Sequence, residues 1–188
     1  NYTFSNKKTI SPYSLHLKTE FGKEFTKANL IINYNHHINR KKRLQLRAYT
    51  GFVQTENEAY NLQMSAWNGF NDYMFTSKAL ARNANDGIYT QQLFMNEGAL
   101  KHHSNINSDK LLSTLNAEYN LTNKIRLYAE GGTNGNDVAY GAGLRIPLLQ
   151  NIINIYLPIY TENGMVEIKN YQDIFRFDFN FDFKIKMF

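Results

Sequence analysis

The chain contains no cysteine, which excludes a disulfide framework, a thiolate nucleophile and a thiolate metal site. Only three prolines and one tryptophan occur in 188 residues, so extended segments are seldom interrupted by a residue that cannot donate to a sheet ladder. No run approaches the roughly 18 consecutive apolar residues that a membrane-spanning helix takes. That absence does not bear on membrane barrels, whose strands alternate apolar and polar residues and so average to a modest hydropathy; the mean hydropathy here is −0.51. HExxH and Gly-Lys-Ser/Thr are both missing, which removes the zinc-peptidase helix and the phosphate loop from these residues. The opening NYTFSNKKTI has no apolar leader stretch, and the expectation is a mature form or a piece of something longer.

What the chain has in quantity is aromatic: 13 Tyr and 13 Phe, a composition that suits strands. The net charge is +5. Apart from Arg40, Lys41, Lys42 and Arg43 the basic residues are dispersed, so no nucleic-acid partner is expected.

Period-two alternation dominates, and in a strand it sends successive side chains to opposite faces. It is strictest in IFRFDFNFDFKIKMF (174–188), where Phe175, Phe177, Phe179, Phe181, Phe183, Ile185 and Met187 interleave with Arg176, Asp178, Asn180, Asp182, Lys184 and Lys186. Weaker versions predict strands at 13–21, 27–34, 43–52, 61–70, 89–100, 112–121, 125–131, 138–146 and 152–160, about ten in all. Turn residues, such as the Asn-Gly within GGTNGND (131–137), join them. The expected architecture is a single all-β domain over 1–188, an antiparallel up-and-down transmembrane β-barrel of about ten strands. One connection fits poorly: 71–88 falls on the side of the short turns yet is long, so either a strand is miscounted or that segment folds over the barrel mouth.

Alternation alone does not say which face meets water. From Phe175 to Met187 the apolar face extends roughly 40 Å at about 3.3 Å per residue, and tilted by about 40° it covers roughly 30 Å of depth, the thickness of a hydrocarbon slab. Seven such side chains carry roughly 10–20 kcal/mol of transfer free energy, which something must cover. We therefore expect these seven residues to face lipid. The opposite face gathers both signs of charge, in Arg43, Arg47, Glu118, Arg126, Glu130, Arg145, Arg176, Asp178, Asp182 and Lys184, with Lys18 and Glu20 nearby. A narrow lumen needs filling, and a mixed-sign network can satisfy its own hydrogen bonds there. The alternative is a soluble β-calyx that carries a small hydrophobic ligand, with the apolar face inward.

No catalytic constellation stands out, and no cofactor is expected. Neither His36–His37 nor His102–His103 can chelate one ion from a strand, since neighbours face apart, and the histidines read as solvated loop or lumen residues. Asp178 and Asp182 are flanked by Arg176 and Lys184, which favours an ion network over a catalytic carboxylate pair. Gly131 and Gly143 read as sites of bending or of room beside a bulky neighbour.

TISPYSLHL (9–17), NGFNDYMF (68–75), QQLFMNEGALK (91–101) and GLRIPLLQNIINIYLPI (143–159) together resemble the carboxy-terminal region of M1-type, gluzincin-like metallopeptidases of Bacteroidetes, over nearly the whole chain. The resemblance implies a β-rich membrane anchor whose zinc-dependent catalytic unit lies in other residues, so no catalytic or metal residue carries over. The functional expectation is a non-catalytic outer-membrane anchor or scaffold, in contact with outer-membrane lipid and with other envelope proteins of a larger complex.

Overall fold

The computed structural model describes residues 1–40, 42–66, 91–167 and 175–179. The alternating segments become strands β1 (Tyr2–Asn6), β2 (Tyr13–Phe21), β3 (Phe25–His37), β4 (Arg43–Thr55), β5 (Leu62–Gln63), β6 (Asn107–Ser108), β7 (Leu111–Asn120), β8 (Arg126–Thr133), β9 (Val138–Leu148), β10 (Ile153–Thr161), β11 (Gly164–Met165) and β12 (Arg176–Phe179). Ten of them form one antiparallel sheet in the order β1-β2-β3-β4-β7-β8-β9-β10-β11, with β12 also on β10. No α-helix occurs among the described residues. The chain is thus all-β and a meander. Among the described residues the sheet does not close into a barrel: β1 is paired only with β2.

Registers carry each side-chain row across the sheet, with one shift, between Pro158 and Tyr160 of β10 where it pairs with β9. Leu46 lies opposite Ala117, Ala117 opposite Ala129, and Ala129 opposite Ala142. On the other face Gln45 lies opposite Glu118, which lies opposite Tyr128. A one-residue slip would exchange the two faces.

The faces differ in the reverse sense from a water-soluble sheet. The apolar face is open, with Leu115 55%, Phe52 48%, Leu17 44% and Leu127 41% exposed. The polar face is covered: Lys27 and Asn154 are 1% exposed, Asn116 and Arg176 4%.

Two predicted strands are corrected. Of 61–70 only Leu62 and Gln63 are strand, paired with β6, and 67–70 lie outside the described residues. Residues 91–100 make only isolated bridges, Ser65 with Leu100 and Gln92 with Phe177. Their apolar residues are periodic because they are buried, not because they span: Leu62, Met64 and Leu100 are fully buried, and Ala66, Leu93 and Ala99 nearly so. These stretches lie on the polar face of the sheet. At one end of that face they pack with Tyr49, Val53, Leu112 and Ala139 into a small core, where each fully buried Leu or Met contributes about 1.5–3 kcal/mol. Conversely β1, which was not anticipated, is a short strand of five residues.

The correction also removes the misplaced long connection. With two spanning strands fewer, connections 7–12, 38–42, 121–125 and 149–152 share one end of the sheet and are all short. The long excursion from β4 to β7 leaves from the opposite end, together with the turns 22–24 and 134–137. Residues 71–88 themselves lie outside the described residues.

Candidate functional site

The candidate site is the polar face together with the segment docked on it, residues 91–106. Its centre is a backbone knuckle at Glu97–Gly98–Ala99. Glu97 (φ 44°) and Ala99 (φ 57°) are left-handed without being glycine, a conformation that costs about 1–3 kcal/mol per residue and persists only when its surroundings hold it. Gly98 between them is required by space, since a Cβ there would lie 2.5 Å from the Met64 carbonyl oxygen.

The wall holds the knuckle with donors from three strands. Arg47 of β4 donates to the carbonyls of Glu97 (2.6 Å) and Gly98 (3.3 Å). Thr114 Oγ1 and Asn116 Nδ2 of β7 donate to the same Gly98 oxygen at 2.8 and 3.2 Å. Lys27 of β3 donates to Glu97 Oε1 at 2.8 Å, and the Gln63 amide to Oε2 at 2.6 Å. Hydrogen bonds to charged groups contribute about 1.5–3 kcal/mol each, enough in sum to offset the strain. Burial raises the Glu97 carboxyl above its usual value, and the Lys27 ammonium opposes that shift.

A second anchor follows at once. Glu130 of β8, its side chain fully buried, accepts from the Lys101 amide (2.6 Å) and His102 Nδ1 (3.0 Å), with Lys101 Nζ 3.2 Å from its other oxygen. His102 Nε2 lies 2.8 Å from Glu162 Oε2 in the turn between β10 and β11, close enough for an ion pair although out of line for a hydrogen bond. The imidazole fits because position 141 is glycine: a Cβ there would come within 2.7 Å of Nδ1. His102 is therefore a buried, charge-flanked group, contrary to the solvated reading. Exposed His103 is held below the usual imidazole value by partial desolvation and then by the charges of Arg176 and His102.

The third cluster lies toward the short-connection end. Arg145 donates to Glu118 Oε2 (2.5 Å) and to Asn154 Oδ1 (3.0 Å). Asn154 donates onward to Asp178 Oδ1, and the Tyr156 hydroxyl to Asp178 Oδ2 at 2.9 Å. Arg126 reaches Gln45 and Asn151 at 3.2 and 2.8 Å, and Arg43 donates to Gln45 from the other side. Guanidinium groups of Arg47 and Arg145 sit 5.6 Å from the rings of Tyr49 and Tyr156, a cation–π distance. Between this cluster and the docked segment is an open cavity of about 370 Å³, bordered by Asn33, Asn35, Gln45, Lys101, Arg145 and Asp178.

Of the lumen residues read from the sequence, Arg43, Arg47, Glu118, Arg126, Glu130, Arg145, Arg176 and Asp178 lie on the polar face of the sheet. Glu118, Arg126, Arg145 and Asp178 join one network; Arg47 and Glu130 hold the docked segment. Arg176 donates to the Phe175 carbonyl, and Asp182 and Lys184 lie outside the described residues. Of the seven expected lipid-facing residues, Phe175 and Phe179 are half-buried, and Phe177 is 6% exposed with its ring 5.4 Å from Phe179. Phe181, Phe183, Ile185 and Met187 lie outside the described residues. Gly143 makes room as expected: a Cβ would lie 2.7 Å from Tyr128 Oη, whereas one at Gly131 would meet nothing nearer than 3.5 Å.

The residues not anticipated are Lys27, Glu97, Lys101, His102, Asn116 and Glu162. Strand parity could have found Lys27 and Asn116, which alternate with apolar neighbours in the same phase as Arg47 and Glu118. The others depend on where an irregular segment docks. Among the described residues no three His, Asp or Glu side chains are grouped to hold a metal ion. In comparison with known proteins, no family model, no curated protein and no solved structure matches the chain.

Proposed function

We propose that this sheet is wall from an outer-membrane β-barrel, acting as a non-catalytic anchor or scaffold with its interior filled. The observation that carries the reading is the inversion of the faces: Leu115 is 55% exposed while its neighbour Asn116 is 4% exposed. Covering the open apolar face is worth about 25 cal/mol per Å², and acyl chains supply that cover without a partner protein. The connection pattern agrees, with every connection at one end short and the long excursion at the other, as in bacterial barrels. The docked segment fills the polar interior, so no wide pore is expected. A calyx would need the apolar face inward, and the inner face here carries Arg47, Arg145 and Asp178, so that alternative is less well supported.

The resemblance to gluzincin-like metallopeptidases extends the proposal: the barrel would hold a zinc peptidase-like unit encoded in other residues at the membrane. The reading frame that contains this chain, searched for HExxH, tests that extension.

The membrane reading itself is tested by nitroxide labels at Leu115, Leu127 and Asn136 in protein refolded into phospholipid vesicles. Oxygen dissolved in the bilayer should relax the labels at 115 and 127, and a water-soluble nickel chelate only that at 136. Equal access of the chelate to all three would sink the proposal.

A further inference from the structure

We propose that Glu130–His102–Glu162 is a proton-operated latch that fastens the docked segment to the sheet. This rests on the docking of 91–106 and not on the membrane reading, so either can fail alone.

The argument begins with proton count. A neutral imidazole has one N–H donor and one bare lone pair, and only the imidazolium presents N–H on both nitrogens. Here each nitrogen faces a carboxylate oxygen, Nδ1 at 3.0 Å from Glu130 and Nε2 at 2.8 Å from Glu162. The Nε2–H tautomer therefore sets the Nδ1 lone pair against Glu130, and the Nδ1–H tautomer leaves a bare, electron-rich Nε2 in contact with the Glu162 carboxylate, although out of line with it.

Charge balance points the same way. The cluster holds two carboxylates, the Lys101 ammonium 3.2 Å from Glu130 Oε2, and the ring. With imidazolium the four charges cancel; with neutral imidazole one negative charge remains where Glu130 is 0% and His102 4% exposed. Uncompensated buried charge is costly, and the cheapest relief is to let water in by undocking.

Among the described residues no other base is in position to replace the ring. From β7 comes neutral Asn116, bonded to Lys101 Nζ at 2.8 Å; from β8, Glu130; from β9, Gly141; from the β10–β11 turn, Glu162. Arg176 on β12 adds positive charge nearby, and His103 is held below the usual imidazole value by partial desolvation and then by the charges of Arg176 and His102. Ser65 Oγ, donating to the His102 carbonyl at 2.7 Å, links the latch to the 61–66 stretch, so release would loosen both.

The latch is therefore closed when the ring carries both protons and weakened when it gives one up at higher pH. The assay is hydrogen exchange of the full chain, with each rate divided by that of the unfolded chain at the same pH. The reporter is the Lys101 amide, whose acceptor is Glu130 Oε1, and the internal reference is the Leu30 amide in the paired β3 strand. Between pH 5.5 and 8.5 the Lys101 protection should fall about tenfold or more while Leu30 stays level. His102→Gln should be poorly protected at both pH values. Glu162→Gln, in a turn where the side chain is 23% exposed, should fold normally and show at most a two- to threefold pH effect. A level Lys101 profile in the unaltered chain overturns the proposal, and so does a full-sized fall that persists in Glu162→Gln. Should His102→Gln fail to fold, those two measurements still decide.

Discussion

Replacing Leu115 by arginine places a charge where the proposed bilayer is most hostile. Leu115 is near the middle of β7, opposite Ala48 on one side and Gly131 on the other, and 55% exposed. Small neighbours leave space for the longer side chain, so overpacking adds little to the cost. If the open face met water, the change would be an ordinary surface substitution, within about 0.5 kcal/mol of neutral, plus a fraction of the leucine's partial burial. If it meets acyl chains near mid-depth, the cost is about 2–4 kcal/mol, a roughly thirty- to thousand-fold shift in the folded-to-unfolded ratio. The control is Leu121→Arg: it is likewise apolar and 51% exposed, but it sits in the turn after β7, where an interfacial charge costs about 0–1 kcal/mol. Urea unfolding of protein refolded in phospholipid vesicles, followed by tyrosine fluorescence, gives both values. Equal costs below about 1 kcal/mol at the two sites would refute the orientation.

Lys27→Met should cost about 3–5 kcal/mol, since it removes one member of a buried pair, and the Lys27→Met/Glu97→Gln double variant should cost less than the sum by about 0.5–3 kcal/mol in urea titrations. Because burial raises the Glu97 carboxyl, the folded chain holds that proton more tightly than the unfolded chain does. The stabilisation is full below the ordinary carboxylate value and is lost as pH rises through the raised one, so stability should decline just above pH ~4.3 and Glu97→Gln should flatten that slope. Gly143→Ala should destabilise by about 1–3 kcal/mol by crowding first the Leu157 carbonyl oxygen and then Tyr128, whereas Gly131→Ala, with its nearest contact at 3.5 Å, should be neutral or slightly stabilising on thermal unfolding. If the proposed barrel forms, planar-bilayer recordings should give no porin-sized conductance, because Arg47, Thr114 and Asn116 pin the docked segment on the polar face.

The sheet was legible wherever one face is uniform. From 13–21 to 152–160 the alternation located β2, β3, β4, β7, β8, β9 and β10 and separated an apolar from a polar row on all but β10, whose register shift between Pro158 and Tyr160 it did not show, because a strand in a sheet with two unlike sides seldom shifts by one residue unpunished. It failed where burial imitates it. Leu62, Met64 and Ala66 alternate as a spanning strand would, yet Ser65 between them is buried too, and period two cannot tell a segment buried all round from one buried on one face. The charged face was legible as a set but not as a circuit. Arg145 and Glu118 are close because β8 separates β7 from β9, whereas the purchase of Arg47 on the Glu97 and Gly98 carbonyls comes from an irregular turn. The glycine in NEGAL hinted at a break; nothing local announced that three side-chain donors would converge on its carbonyl.

The antiparallel meander has a consequence for closure. Among the described residues the direction of travel reverses at every step along β1-β2-β3-β4-β7-β8-β9-β10-β12, so β1 and β12, the two borders of the described sheet, point the same way. Brought together directly they would meet as a parallel seam, foreign to a ladder whose every other joint is antiparallel. Sealing this wall in its own style therefore takes an odd number of additional strands, and a single one, running opposite to both borders, is the smallest keystone.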